Sequence, residues 1–329
     1  MARSCLAVVL LVVATSARVG AQQVPREGFT NLQVLPQDIA PDELRSMMSG
    51  FTRALGVRCV HCHVGEEGKP LRHEDFPKDE KPTKAKAREM IRMTRDLNEK
   101  YLTSLPNRSD PPVRIQCVTC HHGVTQPRTL QDLLRTAYDS GGIDSTLARY
   151  GALRERYYGR FAYDFSEVPL ADLATQVRAT GHPADADSLL AFNVEMNPQS
   201  SFAKRQHAGA ALRRAFTASA DSGAAAYRDF KERYGASLIS EGFLNEIGYD
   251  LLGAGETDAA IEALALNVAE NPQSANAYDS LGEALLEKGD RKRATAAYKK
   301  SLELDPSNEN AAEKLKELKR VKPRGRGGH

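Results

Sequence analysis

The chain has 329 residues, and its 45 Lys plus Arg nearly cancel its 43 Asp plus Glu, leaving a formal charge of +2. That balance excludes a charge-driven nucleic-acid binder. An apolar content of 41% with no tryptophan and 27% charged residues fits a well-solvated helical protein with an ordinary core.

The first element is the N-terminal stretch MARSCLAVVLLVVATSARVGAQQ. Arg3 supplies a positive start, Leu6 to Ala14 form a short apolar run, and Val19-Gly20-Ala21 is a small-residue cleavage site before Gln22. This pattern predicts a secretory signal peptide over 1–21, with an uncleaved anchor as the alternative. The run is short for a transmembrane helix. Cleavage near Ala21 removes Cys5 and predicts a periplasmic or otherwise exported protein.

The next element, APDELRSMMSGFTRAL, reads as a helix. Pro41 stands near its first position, acids occupy its first turn, and Leu44, Phe51 and Leu55 share one stripe. CVHCH follows directly, with Cys59, Cys62 and His63. Val64 to Pro82, rich in charge and proline, reads as a long loop. A second helix is predicted over TKAKAREMIRMTRDLNEKYL, capped by Thr83, with Ala87, Met90, Ile91, Thr94, Leu97 and Tyr101 on one face. After it comes CVTCH, with Cys117, Cys120 and His121.

The two CxxCH segments hold four of the five cysteines. On a helical turn, residues i and i+3 share a face, so two such thiols reach one edge of one porphyrin. The following histidine can then turn its imidazole under the ring to the iron. C-x-x-C-H is the c-type haem attachment signature. Accident would produce one match in about one or two such chains per thousand, so two matches predict two covalently bound haem c groups. The competitors are a zinc site built from the thiolates and a thioredoxin-type dithiol. Both pairs carry the histidine in the haem position, and no βαβ pattern surrounds either.

A second axial ligand is sought among the methionines. Met47/Met48 and Met90/Met93 form two pairs, each ahead of one CxxCH. Their bland reading is core filler. Helical phase favours Met90 over Met93 and leaves Met47 and Met48 unseparated. His61, His73 and His122 read as surface residues or propionate neighbours, and CxxCH spacing favours His121 over His122 as ligand.

Downstream, residues 131–166 read as a helical linker with a helix from about Asp144 to Tyr158. The stretch ANAYDSLGEALLEKGDRKRATAAYKKSLELDPSN, 275–308, carries Tyr278, Leu281, Gly282, Leu285, Gly289, Ala294, Tyr298 and Pro306 in tetratricopeptide register. A 34-residue shift finds Leu244, Ile247, Gly248, Leu251, Gly255, Ala260 and Pro272. An earlier unit ends at Pro198, a degenerate one lies over 201–240, and 309–320 reads as a capping helix. Such units stack into a solenoid because one hairpin cannot bury its apolar face alone. The tail, 321–329, reads as basic and disordered.

The runs NLQVLPQDIAPDELRSMMSGFTRALGVRCVHCHVG, AREMIRMTRDLN and VTCHHG together resemble the cytochrome c subunit family of photosynthetic reaction centres, over roughly residues 30 to 125. In that family each haem unit is a helix with an axial methionine, a turn and CxxCH. The resemblance places the methionine on Met48 when aligned on Glu43, and on Met90 when aligned on Arg95 and Asn98. The family's subunit usually carries four haems, and two motifs here imply a stand-alone dihaem relative.

The fold expected is all-α: a dihaem c-type cytochrome module over 22–130, the linker, then a tetratricopeptide-repeat α-solenoid over 167–320. The iron ligands expected are His63 and Met48 in the first site and His121 and Met90 in the second. The function expected is electron transfer between redox partner proteins, docked through the repeats, with a peripheral membrane complex as a further setting and no nucleic acid or enzymatic activity. Two alternatives stand beside it: a peroxidase-like haem enzyme with one displaceable axial ligand, and a structural metal-binding scaffold.

Overall fold

The computed structural model describes residues 29–320. The signal peptide read over 1–21 and the basic tail over 321–329 lie outside the described residues. Within them the chain forms thirteen α-helices and no strand, so the fold is all-α. It divides into two compact units, which part between Gln126 and Pro127.

In the first unit, α1 (Pro41–Leu55) starts on Pro41, with Asp42 and Glu43 in its first turn and Arg53 in its last. It ends on Gly56, which is left-handed at φ 66°. The Gly56 and Val57 N–H groups then satisfy the Arg53 and Thr52 carbonyls. The first CxxCH follows as a 3₁₀ turn over Cys59–His61. α2 (Pro82–Asp96) starts one residue before the Thr83 cap that the sequence pattern predicts. Proline at the first helical position fixes the entry, and the Thr83 hydroxyl is thereby free to donate to the His61 carbonyl instead. α2 passes into a π-helical turn over Leu97–Tyr101. The second CxxCH is itself a short helix, α3 (Cys117–His121), with Gln116 and Thr119 forming a capping box.

The second unit is built from helical hairpins. α4 (Leu130–Tyr157) opens on a Thr129/Asp132 capping box and breaks at Gly141–Gly142, where Gly142 takes φ 68°. The hairpins are α5 (Val168–Ala179) with α6 (Pro183–Met196), and α7 (Ser201–Ala218) with α8 (Ala220–Tyr234). Next come α9 (Glu241–Gly253) with α10 (Thr257–Glu270), and α11 (Ala275–Glu287) with α12 (Arg291–Leu304). α13 (Glu309–Arg320) closes the array by burying Ala311 and Leu315.

Close helix approach explains the small residues. A Cβ on Gly248 would lie 2.5 Å from the Leu264 side chain, and one on Gly282 would lie 2.8 Å from the Tyr298 ring. The degenerate unit uses the same device at Gly223, where a Cβ would lie 2.2 Å from Phe216. The turns repeat as well: NVEMNPQS at 193–200 recurs as NVAENPQS at 267–274. Buried Asn193 donates to the Glu167 carbonyl at 2.8 Å, and buried Asn267 to the Glu241 carbonyl at 3.2 Å. Ser200 and Ser274 then cap the next helices.

Among the described residues three continuous hydrophobic cores result, all in the second unit. Leu130, Leu134, Tyr150 and Leu153 of α4 belong to the first of them, beside Leu170, Leu173 and Leu189.

Candidate functional site

The two CxxCH segments converge locally as their spacing demands. In the first, the Cys62 and His63 N–H groups both donate to the Cys59 carbonyl, at 3.1 and 3.0 Å, so the thiols sit on one tight turn. In the second, Cys117 and Cys120 lie one helical turn apart on α3.

Each following histidine is oriented by the backbone. His63 Nδ1 lies 3.3 Å from the Phe76 carbonyl oxygen, and His121 Nδ1 lies 2.9 Å from that of Val124. A carbonyl only accepts, so each Nδ1 carries the proton and each Nε2 keeps its lone pair for a metal. Burial, and then the Lys84 charge, hold the His63 pKa below its ordinary value, which favours the neutral, metal-binding imidazole. His121 is itself buried. Of the other histidines, His61 is half-buried, and His73 and His122 are exposed.

α2 braces both motifs. At its start, Lys81 donates to the Val60 carbonyl and Thr83 to the His61 carbonyl. Past its other end, in the π turn, the Asn98 amide pairs with the backbone of Ile115. Its Nδ2 donates to the Ile115 carbonyl and its Oδ1 accepts the Ile115 N–H, both at 2.8 Å. Ile115 stands two residues before Cys117. α1 and the second motif are joined directly, because the Gly123 N–H donates to the Ala54 carbonyl at 2.8 Å.

The loop from Val64 to Pro82 is pinned from beneath. Val64 and Asp75 form a single antiparallel bridge through a 2.7 Å hydrogen bond. Lys84 is only 8% exposed. Its ammonium donates to the carbonyls of Phe76, Pro77 and Lys78 at 2.8, 3.1 and 2.7 Å, and to Asp79 at 2.8 Å. Arg88 holds both oxygens of the same carboxylate. Composition does not reveal Lys84 or Asn98 as parts of the site. Asn98 is signalled as a poor helix former inside a helical pattern and as one of the residues on which the family resemblance aligns.

The candidate methionines lie on the two longer helices of this unit. Met47 and Met48 are half-buried on α1, and Met90 and Met93 are 37% and 45% exposed on α2.

The donor set fits haem c. The unit spans 29–126, yet its buried apolar side chains among the described residues are Ile39, Ala54 and Val124. A unit of that length needs a far larger apolar interior. A covalently held porphyrin would supply one, and Met90, Met93, Leu105, Val113 and Val118 are exposed apolar side chains of the same unit. A dithiol enzyme fits less well, because burial pushes the Cys117 and Cys62 thiols up rather than down. Among the described residues no group of three or more His, Cys, Asp and Glu side chains forms a metal cluster.

Two CxxCH turns with metal-ready histidines, followed by stacked helical hairpins, define a c-type cytochrome module fused to a helical-repeat domain. The comparisons name the parts. Residues 7–137 match the family described as photosynthetic reaction centre cytochrome C subunit, and 275–308 match the tetratricopeptide repeat. The chain carries these two matches in succession.

Cytochrome c-554 of Chloroflexus aurantiacus is 36% identical over 101 residues, 31% of this chain and 22% of that protein. The photosynthetic reaction center cytochrome c subunit of Roseobacter denitrificans is 31% identical over 110 residues, 33% and 28% of the two lengths. The match therefore spans about a quarter of those relatives. Among solved structures, YrrB, a tetratricopeptide-repeat protein with an unusual peptide-binding site, aligns at 12% identity and TM-score 0.30 over 57% of this chain and 90% of its own. MamA from Desulfovibrio magneticus aligns at 15% and 0.29 over 55% and 95%.

Proposed function

We propose that the chain is an exported dihaem c-type cytochrome that passes electrons between protein partners, with the repeat domain as its docking surface. One observation carries the reading: at both CxxCH turns a backbone carbonyl holds Nδ1 of the following histidine and leaves Nε2 for iron. Cys59 and Cys62 would hold one haem c, and Cys117 and Cys120 the other. His63 with Met48, and His121 with Met90, would be the axial pairs. Haem c bound there would supply a one-electron Fe(III)/Fe(II) couple.

The protein's own residues orient, brace and space the sites. The Phe76 and Val124 carbonyls fix the imidazole tautomers. α2 ties down the first motif at one end and the approach to the second beyond the other. The close approach of Gly56 to Gly123, where a Cβ on Gly56 would lie 2.0 Å from the Gly123 carbonyl oxygen, lies a few residues from both motifs, since Gly56 precedes Cys59 by three residues and Gly123 follows His121 by two. Three residues of chain reach at most about 10 Å, so the contact keeps the motifs near each other, as serial electron transfer requires.

Docking through the repeats is supported by the stacked hairpins, which expose Phe202 and Tyr249. No helix among the described residues is long and apolar enough to cross a membrane. A peripheral membrane complex would therefore be reached through partners.

Axial ligation is tested on the exported holoprotein by near-infrared spectra of its oxidised form. Methionine–iron charge-transfer absorption is expected, with half of it lost in Met48→Ala and half in Met90→Ala. Full absorption in both variants would assign other ligands, Met47 and Met93 first. A peroxidase-like rate in the unaltered protein would instead favour the enzyme reading.

A further inference from the structure

The two histidines differ in what stands behind them. The Val124 carbonyl accepts His121 Nδ1–H at 2.9 Å, and among the described residues no cationic side chain donates to it. The Phe76 carbonyl accepts His63 Nδ1–H at 3.3 Å and also accepts the Lys84 ammonium at 2.8 Å. The ammonium is the closer and the charged donor, and charge-assisted hydrogen bonds are the stronger ones. It draws electron density from the oxygen that His63 also uses, and the His63 bond is correspondingly the longer of the two histidine bonds.

That shared oxygen has an electronic consequence. A strong acceptor at Nδ1 makes an imidazole a more basic, more electron-donating ligand. Such a ligand favours Fe(III). A carbonyl already occupied by an ammonium is a poorer acceptor, so His63 donates less and Fe(II) is favoured. The charge itself acts in the same direction, because a buried cation opposes the extra positive charge of Fe(III). Lys84 is nearly solvent-free, so screening is weak. Asp79 offsets it only in part, because the same carboxylate also serves Arg88 and the three side chains together keep a net positive charge.

We propose that Lys84, acting through the Phe76 carbonyl, sets the first haem site at a higher reduction potential than the second, so that a single electron entering the module resides at the His63 site. Lys84 is a tuning residue that touches neither thiol nor imidazole. The proposal rests on the reading of His63 as an axial ligand.

The test is a spectroelectrochemical titration of the full-length holoprotein, with haem counted per chain in every sample. Midpoints are assigned from the single-haem variants Cys59→Ala/Cys62→Ala and Cys117→Ala/Cys120→Ala. The higher midpoint should belong to the site with His63. Lys84→Gln should weaken reduction at that site about tenfold, about 59 mV for a one-electron couple, and shift the low-spin ferric EPR g values of that haem alone. Lys84→Arg should retain most of the potential. Asp79→Asn, which removes the compensating charge, should raise the same midpoint, and it still reads the relation if Lys84→Gln fails to fold. Lys78→Gln, which removes an exposed charge of the same loop and keeps the backbone carbonyl that accepts from Lys84, should move neither midpoint appreciably. Two retained haems with both midpoints unmoved in Lys84→Gln, or no rise in Asp79→Asn, would overturn the proposal. So would a higher midpoint at the His121 site. Absence of haem from the unaltered protein would overturn the axial-ligand reading itself, and the haem count separates the two failures.

Discussion

Gly56 and Gly123 meet backbone to backbone: a Cβ on Gly56 would lie 2.0 Å from the Gly123 carbonyl oxygen. Gly56 is also left-handed, at φ 66°. Gly56→Ala therefore carries a left-handed penalty of about 1–2 kcal/mol and an overpacking cost of about 1–3 kcal/mol. Gly123, at φ 88°, has open space at its Cβ, so Gly123→Ala carries the backbone term alone. Chemical denaturation of the holoprotein should rank Gly56→Ala as clearly the more destabilising. Equal losses would show that the close approach does not matter.

Asn98 stitches the π turn to the strand of chain that leads into the second CxxCH. Asn98→Ala leaves the Ile115 N–H and C=O without their partner, at a cost of about 1–3 kcal/mol. Urea unfolding followed by helical circular dichroism should report that loss, and hydrogen exchange at the Ile115 amide should accelerate. Unchanged exchange there would contradict the bracing role of the π turn.

The Asp79 carboxyl is held well below the usual carboxylate range by Arg88 first, then by Lys84 and Asn31. A folded-state pKa below the unfolded one means stabilisation that is present above the unfolded value, about 3.9, and lost as pH falls through the folded one. The stability gap between the protein and its Asp79→Asn variant should be widest at neutral pH and should shrink below about pH 3.9. A gap that does not change with pH would show that the ion pairs contribute nothing through ionisation.

In the repeats, Gly248 faces Leu264 with no room for a side chain. Gly248→Val should destabilise the second unit by about 1–3 kcal/mol, read as an earlier loss of helical signal on heating. Gly253→Ala, within the same helix and with open space at its Cβ, serves as the control and should be neutral or slightly stabilising.

Much of this architecture is legible in the residues because its signals are local. Proline starts, left-handed glycines and repeated NPQS turns mark the helices, and CxxCH marks the chemistry. What escaped the sequence is tertiary. The first half of α4 begins at Leu130, ahead of the helix read from Asp144, and the Gly141–Gly142 break conceals that the two halves flank one kink. Thr83 looks like a helix cap because threonine before an apolar pattern usually is one, yet Pro82 takes the first helical position and releases its hydroxyl to His61. Lys84 falls in the first turn of the predicted second helix, where nothing in the sequence marks it, and only the folded loop reveals that it is buried among carbonyls. The carbonyls of Phe76 and Val124 carry no side-chain signature at all.

The central claim concerns covalent haem at both CxxCH turns, and a haem count tests it most directly. The protein is exported from a host with active cytochrome maturation and assayed by pyridine haemochrome absorption per chain, with mass spectrometry beside it. Two haems are expected in the unaltered protein, and one in each of Cys59→Ala/Cys62→Ala and Cys117→Ala/Cys120→Ala. A colourless product whose four thiols remain free to alkylate would contradict the account.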